Sequence, residues 1–72
     1  MDLFAERFKE LKTQRGLTYP KIAEALGRGP RVINNYASGA SKPDYYGLLA
    51  IADLFNVSID YLVGRTDDPK LH

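Results

Sequence analysis

An all-α fold of five short helices is what this sequence predicts, on three observations. Apolar residues recur at helical spacing along the chain, and no stretch alternates as a strand would. Residues that start helices (Thr18, Asp44, Ser58) and residues that stop them (Gly16, Gly27, Asn56, Gly64) bracket those stretches. The chain has 72 residues, 44% of them apolar, and no cysteine. It is therefore one small domain held by helix packing rather than disulfides, and a domain of this size buries only about 60% of its unfolded surface.

The elements follow in order. Phe4, Phe8 and Leu11 fall at i, i+4 and i+7 with charged residues between them, which predicts an amphipathic helix over 3–14. Gly16 supplies its left-handed stop. Thr18 reads as the cap of a second helix, with Pro20 in the first turn, where a missing N–H costs little. Lys21 stands where a capping box has Glu, so the box is incomplete. Ile22, Ala23 and Leu26 form the inner stripe, and Gly27 ends the helix. Gly29 then caps a third helix over 30–36 and Pro30 opens it; proline drives the residue before it into the extended conformation a cap needs. On that helix Val32, Ile33 and Tyr36 face inward, and Arg31, Asn34 and Asn35 face outward. A Ser/Gly-rich loop covers 37–42. Asp44 caps a fourth helix over 45–55, with Leu48, Leu49, Ala52 and Phe55 as its apolar stripe. Gly47 inside it costs about 1 kcal/mol against alanine unless something packs closely there. Asn56 ends the fourth helix, Ser58 caps a fifth over 59–63, and Gly64 closes it. The domain is thus expected over 1–64, with 65–72 as a polar tail that carries Pro69 and frays.

Several function classes lose support. No apolar run approaches the roughly 18 residues of a membrane span, and the start, MDLFAERFKE, is amphipathic and mixed in charge, unlike a secretion leader. Lack of cysteine fits a reducing compartment and leaves no thiol nucleophile or Cys-based metal site. The one histidine is His72, in the tail; Asp67 and Asp68 there read as solvating. No glycine loop follows a strand to cradle phosphates. No catalytic residue, metal, cofactor or small-molecule substrate is therefore expected. Net charge is +1, but its distribution is uneven: residues 11–42 carry six bases against one acid, a net of +5, and residues 43–72 carry two bases against five acids, a net of −3. A face made for polyanions and a solvated face with chance clustering both fit that distribution.

Two short helices joined by a tight glycine turn, the second polar on its outer face, form the helix-turn-helix pattern. Ala23 is small where the two helices cross, Gly27 permits the turn, and Ile33 plugs the core beneath the second helix. That leaves the opposite face for a DNA major groove, which is wide enough to admit a helix.

With these residues in place, the stretch LTYPKIAEALGRGPRVINNYASGASKPD resembles the DNA-binding domain of phage-repressor and Cro-like transcription regulators, the XRE family, and LLAIADLFNVSIDYLVGRTDDP is similar to that family's last two helices and exit segment. The likeness covers about 4–69, with Leu17-Thr18, Ile22-Ala23, Leu26-Gly27, Ile33, Tyr36, Gly39, Lys42-Pro43 and Asp60-Tyr61-Leu62 in register. It implies a compact five-helix lambda-repressor-like domain, duplex DNA as partner, a homodimer on a two-fold operator, and a cytoplasmic place beside bacterial or phage DNA.

The family's base-reading positions fall on Pro30, Arg31, Asn34 and Asn35. Arg suits a guanine edge and Asn an adenine edge; Pro30 has only apolar contact to offer. The family commonly has Gln at the start of the second helix to hold a phosphate; Tyr19 stands there, and its hydroxyl can still donate. Thr18 and the backbone N–H groups at the start of the second helix are further phosphate candidates; Ser38, Ser41 and Lys42 match the family's second phosphate clamp, and Lys12, Lys21 and Arg28 add charge. Two departures stand out. The basic residue of helix one and the Glu after the aromatic of helix three, often paired in the family, are here Lys12 and Ala37, which frees Lys12 for phosphate. Arg28 stands where an apolar residue is usual.

The expected function is sequence-specific duplex DNA binding by a transcriptional regulator, repression being the leading form. The rival reading is a protein-binding module of the same fold, an antitoxin-like or regulatory partner that no longer reads DNA; Tyr19, Pro30 and Ala37 feed it and the +5 segment opposes it. A third reading makes the chain one domain of a longer repressor, with its tail as the start of a linker. Tyr45, Tyr46 and Tyr61 are surplus aromatics, for the core or for a dimer interface.

Overall fold

The structure, a computed structural model, describes residues 2–70, which form five helices: α1 (Phe4–Gln14), α2 (Tyr19–Leu26), α3 (Pro30–Ser38), α4 (Tyr45–Phe55) and α5 (Ile59–Val63). The caps explain the boundaries. Thr18 Oγ1 accepts from the Lys21 N–H at 3.3 Å, Asp44 Oδ1 from Gly47 at 2.7 Å, and Ser58 Oγ from Tyr61 at 3.0 Å. Gly27, Gly39, Asn56 and Gly64 end their helices in the left-handed conformation. Gly29 is extended at φ −71° and ψ 153°, as the following proline requires.

α1 packs on α3 and α5, α2 on α3 and α4, and α4 on α5, in a body of 28 × 22 × 21 Å. Phe8 is fully buried at the centre. Its ring stacks on Phe4 (centroids 5.4 Å apart) and lies parallel to Tyr19 (6.4 Å), and Tyr36 and Phe55 meet it edge-on at 6.4 and 5.9 Å. Such pairs add about 0.5–1.5 kcal/mol each beyond their burial. Ile22, Ile33, Ile51, Val57 and Leu62 complete the interior. Tyr36 belongs to the core, whereas Tyr45 and Tyr46 lie 65% and 73% exposed.

The structure departs from expectation in three places. α3 runs two residues further, to Ser38, because Ala37 is buried and the left-handed stop is Gly39. On α4 Ala52 and Phe55 are buried as expected, but the third inward side chain is Ile51, one turn beyond the buried Gly47, while Leu48 and Leu49 are only half-buried. Gly47 has its close neighbour: a Cβ there would lie 2.9 Å from Pro43 Cβ.

The third departure is the tail, which is docked as far as it is described. Arg7, its side chain 11% exposed, donates to the carbonyls of Tyr61 (3.0 Å) and Thr66 (3.2 Å) and pairs with Asp67 at 2.9 Å. Its guanidinium also lies 4.1 Å from the Tyr61 ring centroid. The Arg65 N–H donates to Asp60 O, and the Ser58 N–H to Pro69 O. The tail therefore folds back along α5 instead of fraying. His72 lies outside the described residues. Among those described, no helix is long and apolar enough to cross a membrane.

Candidate nucleic-acid interface

The site is built on the second and third helices and the loop after them. α3 has two unlike faces: Ile33, Tyr36 and Ala37 are buried, while Pro30, Arg31 and Asn34 are exposed and Asn35 is half-buried. Opening on Pro30 and capped by Gly29, the helix begins with no side-chain cap and no acid in its first turn, so its N-terminal N–H groups and positive dipole end face outward unneutralised. The side chains of Arg31 and Asn34 take part in no hydrogen bond or ion pair among the described residues.

The flanking groups differ in how free they are. Lys21 is exposed at the start of α2, beside Thr18, whose oxygen already accepts from its backbone; the Thr18 hydroxyl hydrogen remains available. Tyr19 is half-buried and fixed by its parallel stack on Phe8, with the Lys12 ammonium 4.7 Å from its ring centroid. Lys12, expected to be free for phosphate, is thus held over an aromatic face. Arg28 pairs with Asp44 at 3.3 Å, tying the turn between α2 and α3 to the cap of α4. Lys42 pairs with Asp2. The Ser38 hydroxyl donates to Asn35 O and accepts from the Ala40 N–H, so it fixes the end of α3. The Ser41 N–H also donates to Asn35 O, which sets the loop, while the Ser41 side chain stays exposed. Arg15, one of the six bases of the basic segment, donates to Phe55 O at 2.8 Å at the end of α4.

Sequence reading missed Asp2. One of its oxygens accepts the Phe4 N–H at 2.9 Å and the other meets Lys42. Its pKa is lowered, first by the hydrogen bond from Lys42 and then by the Phe4 N–H. A short acid just before an apolar helical stripe was the available clue to the bond from Phe4; nothing local points to Lys42. The other missed partner is Asp44, a cap that also holds Arg28.

A family model described as a helix-turn-helix domain matches residues 5–67. The transcriptional regulator ImmR of Bacillus subtilis (strain 168) is 37% identical over 65 residues, which is 90% of this chain and 51% of its own. The chain spans three-fifths of the length of the curated relatives at most, and about a third of one of them. The crystal structure of a transcriptional regulator from Listeria innocua superposes with a TM-score of 0.85 at 42% identity, over 89% of this chain and 60% of that one. The P22 c2 repressor, solved in complex with synthetic operator 9T, superposes with a TM-score of 0.81 at 21% identity, over 88% of this chain and 96% of that one. At that identity the likeness is one of fold, and it bears out the five-helix repressor-like architecture. With a match that runs through all five helices, this chain belongs to the helix-turn-helix domain family.

Proposed function

We propose that this domain binds duplex DNA with α3 in the major groove and regulates transcription, in the first instance as a repressor. The observation that carries the reading is the division of α3: one face is locked into the core by Ile33, Tyr36 and Ala37, and the other presents Arg31 and Asn34 without partners. That the relatives are named transcriptional regulators, and that a neighbour in fold was solved on an operator, supports it.

Arg31 and Asn35, with Asn34, read base edges, and Pro30 touches them only through apolar contact. Thr18, Tyr19, Lys21, Ser41 and Lys42 hold phosphates, and Lys12, Arg28 and Ser38 position that shell. A homodimer on a two-fold operator would set half-sites about one helical turn apart. The exposed pair Tyr45 and Tyr46, edge to face at 5.3 Å, is the apolar surface that supports self-association. The setting is the cytoplasm. The same fold serving only as a protein-binding module is not favoured, since the relatives carry regulator names and α3 keeps its open polar face.

The test is selection from random duplex DNA at physiological salt. An enriched motif with two-fold symmetry is the expected result. A single asymmetric half-site would keep the DNA reading and remove the dimer. No enrichment by a folded sample would overturn the reading.

A further inference from the structure

We propose that Asp2 is a built-in competitor for the phosphate that Lys42 takes, and that it sets how tightly the domain holds duplex DNA of any sequence. This rests on the DNA-binding reading above and adds a residue that the reading does not contain.

Forty positions apart in sequence, the Lys42 ammonium and the Asp2 carboxylate form an ion pair. The carboxylate is held in place rather than sampling the surface. Its other oxygen accepts the Phe4 N–H at 2.9 Å, the first N–H of α1, from the position before the cap residue Leu3. The next residue is anchored twice: the Leu3 N–H donates to Val63 O at 3.2 Å, and the Leu3 side chain fills the space over Gly64, where a Cβ would lie 2.6 Å from Leu3 Cγ. The start of α1 also lies beside the loop after α3, because a Cβ built on Gly39 would sit 4.0 Å from Ala5 Cβ. On the other side, the Ser41 N–H fixes the loop to Asn35 O, and Pro43 restricts the backbone of Lys42 to extended conformations. Both partners are therefore delivered to one spot by the fold.

The pair is displaceable. The side chains are 66% exposed for Lys42 and 39% for Asp2, and exposed pairs contribute little to folding. A phosphate that takes Lys42 must break the pair and then face a carboxylate at the same place. A lysine already balanced by a fixed acid also contributes less to the counterion release that drives DNA binding. A carboxyl at the ordinary value of 3.8 is already charged throughout the neutral range, and Asp2 lies lower still, so the competition is constant there. Because phosphates carry no sequence information, the effect falls on all duplexes alike.

Asp2→Asn tests this, since the Asn carbonyl can still accept from Phe4; a melting curve that keeps its cooperativity and shifts only slightly checks that the domain stays folded. Both proteins are titrated across a salt series with a fixed arbitrary duplex and with a selected operator. Asp2→Asn is expected to bind both duplexes about two- to fivefold more tightly, the range an exposed ion pair supplies. Its log–log salt slope should steepen by up to about one ion. In a Lys42→Ala background the gain should vanish. Equal affinity of the two proteins would overturn the proposal. So would the same gain in the Lys42→Ala background, or from Asp53→Asn, which changes net charge equally; either would mean a general charge effect. If the unaltered protein binds no duplex at all, the DNA reading itself falls and the proposal falls with it.

Discussion

Arg7 and Arg31 are the same residue put to opposite uses in two regions of the molecule. Arg7, on α1, has its guanidinium sunk against α5 and the tail, with two backbone carbonyls, a carboxylate and an aromatic ring as partners. Arg31, on α3, is exposed and has no partner among the described residues. Arg15 follows Arg7, donating to the carbonyl end of α4. Lys21 follows Arg31. Cations that meet backbone carbonyls at helix ends or in the tail are consumed as structure, and Arg31 and Lys21, on the outer side of the helix-turn-helix, remain for a polyanion. A sum of charge along the chain cannot make this distinction, and the +5 of residues 11–42 counts Arg15 with the rest.

Four variants break or sharpen the contrast. Ile33→Ala removes the fully buried plug under the outward face of α3 and should cost about 2–5 kcal/mol of stability, read by chemical denaturation; a smaller loss would mean that α3 is held otherwise. Arg7→Met should cost about 1–3 kcal/mol by leaving the Tyr61 and Thr66 carbonyls without their charged donor, with faster amide exchange at Ser58 and Arg65 and unchanged DNA affinity per folded molecule. Arg31→Ala should leave folding within about 0.5 kcal/mol. It should also lose about 1–3 kcal/mol of discrimination at one base position, measured against a panel of operator variants. Equal weakening on every sequence would remove Arg31 from the base readers. Gly29→Ser should stabilise by only a few tenths of a kcal/mol, seen as a slightly higher Tm. Gly29 has an ordinary negative φ and open space around a Cβ, so nothing in the fold requires a glycine there.

Acid behaviour bears on the start of α1. Because folding lowers the pKa of Asp2, its contribution to stability is present above the ordinary carboxylate value of 3.8 and is lost as pH falls through the lower folded value. Asp2→Asn should narrow the difference between stability at neutral and acid pH, by an amount kept small by solvent exposure.

What the sequence made legible was local. Thr18, Asp44 and Ser58 cap by reaching three residues along their own chain, and Gly27, Asn56 and Gly64 stop helices through their own backbone conformation. The outward set on α3 was legible for the same reason, as the remainder once Ile33 and Tyr36 are turned inward. The end of α3 was misread where a burial decided it: Ala37 packs on the core and carries the helix on to Gly39. Half of the α4 stripe was legible, since Ala52 and Phe55 are buried; the other half was misassigned because Leu48, Leu49 and Ile51 are all apolar, and only the angle at which α4 meets its neighbours selects Ile51. The partners of the site residues were illegible because they are distant in sequence. Arg7 reaches residues 54 to 60 positions away, and Lys42 meets an acid 40 positions back. Only the packed helices bring such groups together.

The docked tail also has a mechanical meaning. From Gly64 the chain doubles back along α5, so that Pro69 meets Ser58 at the opposite end of that helix. A pull on the chain at residue 70 would load the Ser58–Pro69 bond before the ion pair of Asp67 with Arg7 and the bond from Arg7 to Thr66. Bonds loaded one after another peel at low force, whereas bonds loaded together resist in shear. The tail is thus a fuse: tension there is spent in unzipping a few polar contacts before any reaches Leu62, Phe8 or the helix that carries Arg31.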